Sequence, residues 1–258
     1  MTHYRSVLIT GASSGIGEAL SHALSAPGVS LHLSGRDATR LETVATACRA
    51  RGAEVHPQII DVRDQTAMEA WIDAAGPLDL VVANAGIASG EGRTGGERLE
   101  RTRAIFGTNV DGMLNTVLPA MAVMAAQPAG ADGLRGRIAV IASVAAFMAI
   151  PDSAAYSASK AAADAWTVAS ARGARARGIQ LTSVCPGYIR TALTARNDFP
   201  MPGLMDADRA AGVILRGLAA GRIRLVFPWW MGFLTRMLGL LPPGLTGKLM
   251  PNRTGESA

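Results

Sequence analysis

Residues 7–20 read VLITGASSGIGEAL. An apolar run at 7–10 closes on Gly11, Gly15 and Gly17, and helical periodicity sets in from Glu18. A short apolar run that passes through a glycine cluster into a helix is a strand–turn–helix unit. Bare glycines let the backbone turn tightly and let a pyrophosphate approach the helix N-terminus. Unbonded N–H groups and the helix dipole favour negative charge there. Ser13 and Ser14 add hydroxyl donors, and Ile16 lies in the same cradle. A glycine cluster alone is weak evidence, since many tight turns need glycine. Its place between the first strand and the first helix is what points to a dinucleotide.

Outward from this unit the pattern repeats. Apolar runs at 30–33, 55–60, 78–83, 137–142 and 181–184 read as buried strands, with 225–227 a possible seventh. Helical periodicity occupies 18–26, 39–51, 67–75, 101–126, 155–177 and 207–220. Short strands separated by helices need crossover connections, hence a parallel sheet covered on both faces. The expected fold class is α/β, a doubly wound Rossmann-type sheet of about seven strands. It forms one domain over 1–258, with 227–258 an amphipathic C-terminal extension. Ligands of such sheets bind beyond the carboxyl ends of the strands.

Composition narrows the function classes. Of 258 residues, 49% are hydrophobic and 17% charged, which excludes a disordered chain. Cys48 and Cys185 cannot make a disulfide framework and read as reduced thiols. The four histidines show no metal-ligand spacing, and neither CxxC nor HExxH occurs, so no metal is expected. The N-terminus lacks the pattern of a signal peptide, and no run of 18 uncharged apolar residues exists. A cytoplasmic location is the expectation.

The end of the second strand bears on the cofactor. A carboxylate there takes the adenosine ribose hydroxyls, whereas an arginine accommodates a 2′-phosphate. Ser34-Gly35-Arg36-Asp37 offers both. A guanidinium facing a phosphate makes a charge-assisted, often bidentate contact, so Arg36 favours NADP(H), with NAD(H) possible. Asp37 lies where a ribose-binding acid is expected, but it also precedes a helical stretch and would serve as an N-cap.

Tyr156 and Lys160 open a long helical stretch four residues apart, so phenol and ammonium share one face. A neighbouring cation favours phenolate, which makes the phenol a usable general acid or base near neutral pH. A structural i,i+4 pairing is the bland alternative. Ser143 ends the fifth strand, where a hydroxyl could bond a substrate oxygen as charge develops on it.

In these residues the chain resembles the short-chain dehydrogenase/reductase family, in its compact single-domain branch. The matching features are TGASSGIG at 10–17, Asp61, Asn84-Ala85-Gly86, Asn109 in TNVDGML, Ser143, the Tyr156/Lys160 pair and PGYIRT at 186–191. The resemblance implies that Asp61 binds the adenine amino group, with Val62 beside it, and that Asn84 steadies the central strand. Asn109 would hold a water relaying protons to Lys160. Ser143 would bind the carbonyl oxygen and Tyr156 would exchange its proton. Lys160 would lower the Tyr156 pKa and bond the nicotinamide ribose. Pro186, Gly187, Ile189 and Thr191 would border the nicotinamide. The implied function is NADP(H)-dependent hydride transfer to or from a carbonyl or secondary-alcohol carbon, in a homodimer or homotetramer. Ala83 departs from a common Asn, and 127–136 reads as a longer loop than usual.

Val144, Ala145, Ala146, Phe147, Ile150, Tyr188 and Leu193 would make an apolar pocket wall for a hydrophobic substrate, unless several are simply core. The loop around 191–205 would cover it. Further on, Trp230, Phe233, Leu234, Met237, Leu240 and Leu241 fall at helical spacing on one side. From residue 216 to 253 six basic residues (Arg216, Arg222, Arg224, Arg236, Lys248, Arg253) occur with no acidic one, in a chain of net charge +5. The segment 227–241 therefore admits peripheral membrane contact, or packing over the pocket or against another subunit. No nucleic-acid-binding motif is present, and no such partner is expected. Besides the reductase, a non-catalytic NADP-binding protein and a membrane-surface protein acting through this helix remain open. A sugar-nucleotide epimerase would need a longer chain.

Overall fold

The computed structural model describes residues 4–88, 98–151, 153–196, 199–242 and 244–245. Lys248 and Arg253 lie outside the described residues, as do positions 197 and 198 of the covering loop.

The chain alternates strand and helix: β1 (Ser6–Thr10), α1 (Gly15–Leu24), β2 (Ser30–Gly35), α2 (Ala38–Arg49), β3 (Glu54–Ile59), α3 (Gln65–Ala75), β4 (Leu80–Ala83). It continues through α4 (Leu99–Phe106), a π turn (Gly107–Asp111), α5 (Gly112–Ala126), β5 (Gly136–Ile141), a 3-10 turn (Val144–Phe147), α6 (Ala154–Ala176) and β6 (Ile179–Pro186). The short strands β7 (Ile189–Arg190) and β8 (Met205–Asp206) pair with each other, a second 3-10 turn (Thr194–Arg196) lying between them. Then follow α7 (Ala207–Ala219), β9 (Arg224–Phe227) and α8 (Trp229–Gly239).

Seven strands form one parallel sheet in the order β3-β2-β1-β4-β5-β6-β9. The doubly wound α/β architecture is thus as the apolar runs require, and the uncertain strand near 225 is its edge. Period-two alternation sends Val7 and Ile9 into one core and Leu8 into the other. Leu20 of α1, Leu41 of α2 and Ile214 of α7 cover the first face. Met68 of α3, Val117 of α5 and Ala171 of α6 cover the second. β4, β5 and β6 are buried at every position, as central strands covered on both faces are, with Arg137, Gln180, Thr182 and Ser183 as their buried polar residues. Strand order reverses between β1 and β4, and the crevice opens at their carboxyl ends.

One expectation is corrected here, and one of the alternatives left open for 227–241 is not what the structure shows. The single helix expected over 101–126 is two α-helices joined by the π turn, which carries Asn109. The apolar stripe of α8 faces outward instead of packing over the pocket. Its buried residues are Met231, Gly232 and Thr235, while Trp230, Phe233, Leu234, Met237 and Leu240 are exposed. Cys48 and Cys185 are both buried free thiols.

Candidate active site

Above the carboxyl ends of β1, β2, β4, β5 and β6 lies a cleft of about 460 Å³. The glycine turn forms its floor. Gly11 and Gly15 have φ of +64° and +61°, the left-handed region that side chains resist. A Cβ on Gly15 would also meet Thr191 Cγ2 at 2.8 Å, so this turn and the loop after β6 close on one another. Ser14 precedes the first turn of α1 and its side chain makes no cap bond, leaving that end of the helix open to an anion. Gly17 does not line the cleft. A Cβ there would come within 2.4 Å of the Gly11 carbonyl oxygen, so its bareness serves packing inside the turn.

Asn84 ties the two central strands together. Its Nδ2 donates to the carbonyls of Thr10 (3.0 Å) and Gly11 (2.9 Å), and its backbone N–H donates to Thr10 Oγ1 at 3.1 Å.

At the far end of the cleft Arg36 and Arg40 lie exposed on the rim. Asp37 lines the cleft beside them, but its carboxylate caps α2, accepting from Arg40 N at 3.0 Å and pairing with Arg40 Nε at 3.2 Å. Asp61 lines the same end, and the Arg63 guanidinium grips it with Nη2–Oδ2 at 2.6 Å. Hydrogen bonding from Arg63, with a smaller pull from Arg36, holds this carboxyl below its ordinary pKa.

At the other end Ser143, Tyr156 and Lys160 converge. The Ser143 hydroxyl accepts from Ala145 N (3.1 Å) and lies close enough to the Tyr156 phenol to pull its pKa down. Lys160 is buried, 5% exposed, and its Nζ donates to the Ile141 carbonyl at 2.7 Å. The same Nζ lies 5.9 Å from the centre of the Tyr156 ring. Burial pushes the ammonium pKa down to about 8. Burial also raises the Tyr156 pKa, outweighing the lowering bond from Ser143, and nearby Tyr188 adds to the rise. The expectation that Lys160 draws the phenol pKa down is therefore not met: desolvation of the phenolate is the larger effect.

Asn109 does not line the cleft. Its Oδ1 accepts from Ile87 N (2.8 Å), and its Nδ2 donates to the Ile87 carbonyl and Ser159 Oγ, both at 2.9 Å. Ser159 Oγ in turn donates to the Tyr156 carbonyl at 2.8 Å. Asn109 thus clasps the loop after β4 to the first turn of α6, immediately behind the Tyr156/Lys160 face. Gly86 fills the gap: a Cβ there would stand 3.3 Å from both Asn109 Oδ1 and Lys160 Nζ.

Of the expected cofactor residues, Gly11, Ser13, Ser14, Gly15, Ile16, Arg36, Asp61, Val62, Asn84, Ala85, Gly86, Tyr156, Lys160, Pro186, Gly187, Ile189 and Thr191 all line this cleft. The expected substrate wall fares differently. Leu193 lines the cleft, whereas Val144, Ala145, Phe147, Ile150 and Tyr188 do not. Val144 and Ala145 are buried in the 3-10 turn, and Ile150 N reaches Ser157 Oγ at 3.3 Å. Phe147 lies between two guanidinium groups, Arg224 at 5.7 Å and Arg236 at 3.9 Å. Tyr188 meets Phe199 edge-on at 5.9 Å. Sequence reasoning missed Arg40, Thr108 and Thr194, which also line the cleft. Each is within a turn of an expected residue (Arg36, Asn109, Thr191), and that proximity was the available signal. Among the described residues no cluster of metal-ligating side chains exists.

Comparison with known proteins agrees with this geometry. A family model described as short chain dehydrogenase matches residues 5–199. An uncharacterized oxidoreductase of Myxococcus xanthus is 38% identical over 248 residues, 93% of each chain. A solved variant of actinorhodin polyketide ketoreductase with NADPH is 25% identical with a TM-score of 0.75, covering 88% of this chain and 97% of that one. A short-chain dehydrogenase/reductase of Burkholderia phymatum in complex with NAD superposes with a TM-score of 0.81 over 100% of both chains, at 22% identity, which speaks for the fold.

Proposed function

Because the chain belongs to the short-chain dehydrogenase/reductase family, we propose that it moves a hydride between NADP(H) and the carbonyl or secondary-alcohol carbon of a hydrophobic small molecule, with Tyr156 as general acid and base. The observation that carries this reading is the meeting of Tyr156, Ser143 and Lys160 at one end of a cleft whose floor is an open helix N-terminus.

The cleft's donor set fits a dinucleotide. Backbone N–H groups of the first turn of α1, with Ser13 and Ser14, would hold the pyrophosphate. Asp61, held ionised by Arg63, can only accept, which suits an amino group. Arg36 and Arg40 offer two guanidinium groups to a 2′-phosphate, and Asp37 is committed to its cap. That balance favours NADP(H), with NAD(H) also admitted. The coenzyme supplies the hydride chemistry.

The chain's own groups handle the substrate oxygen and its proton. Ser143 Oγ would donate to the carbonyl oxygen and steady the charge that develops on it. Tyr156 Oη would give its proton to that oxygen in reduction and take it back in oxidation. The Lys160 ammonium would stabilise the resulting phenolate. Asn109 would position Lys160 and the Tyr156 turn through the Ile87 and Ser159 contacts. Leu193, 45% exposed at the cleft edge, offers apolar surface to the substrate, which suits a hydrophobic ketone, aldehyde or alcohol. We further read the enzyme as a cytoplasmic single-domain homodimer or homotetramer, with no nucleic-acid partner.

A panel of carbonyl compounds screened with NADPH and NADH, followed by loss of reduced-coenzyme absorbance, tests this reading. Turnover of apolar ketones or aldehydes, faster with NADPH, is expected. No turnover of any carbonyl, and no oxidation of the matching alcohols, would overturn it.

A further inference from the structure

α8 lies beyond the residues that match the family, and it is docked the wrong way round for a surface helix. Beside the buried Met231, small residues face the protein: Gly232 sits where a Cβ would fall 2.2 Å from Val226 Cγ1, and Gly239 where one would fall 2.1 Å from the Phe147 carbonyl oxygen. Buried Thr235 returns its hydroxyl to the Met231 carbonyl at 2.9 Å. The large apolar residues point out. Trp229 and Leu240 are each 77% exposed and Phe233 60%, with Trp230, Leu234 and Met237 continuing the face. A solvent-facing helix normally turns its charges outward and its apolar stripe inward. An apolar face this continuous marks an interaction surface.

Charge identifies what covers it. Residues 209–253 contain seven basic side chains and no acidic one. The exposed Arg222 precedes the apolar helix, Arg236 lies within it and Lys248 follows in sequence, while Arg224 is already paired with Asp164 at 2.7 Å. A two-fold contact sets the same patch against itself. Two copies of this segment would bring only cations together, with no carboxylate of their own to answer them. The complementary surface is apolar beneath and anionic on top, as an acidic phospholipid layer is. The helix spans 11 residues, about 16 Å, and no helix among the described residues is long and apolar enough to cross a bilayer. Exposed tryptophans suit the headgroup boundary, where an indole buries its body and keeps its N–H wet.

We propose that α8 is a peripheral membrane anchor that lies in the plane of an anionic phospholipid surface, inserting Trp229, Trp230, Phe233, Leu234, Met237 and Leu240. The proposal is independent of the catalytic reading, since the anchor would operate whether or not the cleft turns over a carbonyl.

The full chain should be sedimented with vesicles of phosphatidylcholine alone and of an equal mixture of phosphatidylcholine and phosphatidylserine, at low and high salt. Binding to the mixed vesicles, at least about tenfold stronger than to the neutral ones and weakened by salt, is expected. Tryptophan emission should shift to the blue on binding. The combined variant Trp229→Ser, Phe233→Ser, Leu240→Ser should lose binding by about tenfold or more while keeping its melting temperature, because all three side chains are exposed. Equal binding to both vesicle types, no binding to either, or unchanged binding by the triple variant would overturn the proposal. So would light scattering that shows a dimer dissociated by the triple variant, for then a second copy covers the face.

Discussion

The guanidinium of Arg236 stacks 3.9 Å from the centre of the Phe147 ring, joining α8 to the turn that begins at Ser143. Ser143 is four residues upstream, and its hydroxyl meets the Tyr156 phenol. A helix outside the cleft therefore braces the segment that carries Ser143, one of the proposed catalytic groups. Arg236→Ala removes the stacked cation and should cost about 1 kcal/mol of stability in urea unfolding. It should lower turnover several-fold with little change in coenzyme affinity. Unaltered turnover with reduced stability would make the contact purely structural.

Tyr156→Phe deletes the proposed proton donor and keeps the ring. Turnover should fall by roughly 10² to 10⁴, the range of a lost general acid, while coenzyme binding followed by fluorescence stays intact. Full turnover by this variant would remove Tyr156 from the chemistry.

Lys160 carries a pH signature. Burial lowers its folded pKa from 10.5 to about 8, so between these values the unfolded chain binds more protons than the folded one. Its contribution to stability is fully present above about pH 10.5 and is lost as pH falls through about 8. At neutral pH the buried ammonium is a liability on the order of 3 kcal/mol. Lys160→Met should thus be more stable than the wild type at pH 7, and the difference should shrink as pH rises towards 10. Cys185, pushed up to about 12 by burial, contributes with the opposite sign above pH 9, but it is common to both proteins and cancels in the comparison. A stability difference flat across this range would contradict the lowered pKa.

On the proposed reading Arg36 and Arg40 set the coenzyme preference. Arg40→Ala should weaken NADPH about tenfold, the worth of one charge-assisted bond, and leave NADH nearly unchanged. Arg36→Asp should turn preference towards NADH. Binding titrations with both coenzymes check each arm, and an unchanged ratio in both variants would place the 2′-phosphate elsewhere.

Much of this protein was readable along the chain because the deciding interactions are local. Period-two apolar runs and intervening helices fix a parallel sheet, a glycine turn at a strand end fixes an open helix N-terminus, and a spacing of four puts Tyr156 and Lys160 on one face. Only the tertiary structure decided which faces found partners. It turned Asn109 to Ile87 and Ser159, took Phe147 out of the expected pocket to lie under Arg236, and raised the Tyr156 pKa by burial where proximity to Lys160 had suggested lowering. It also left the α8 stripe uncovered. Periodicity tells which side chains travel together. Hydrogen bonds, desolvation and packing between residues far apart in sequence depend on where the rest of the chain comes to lie.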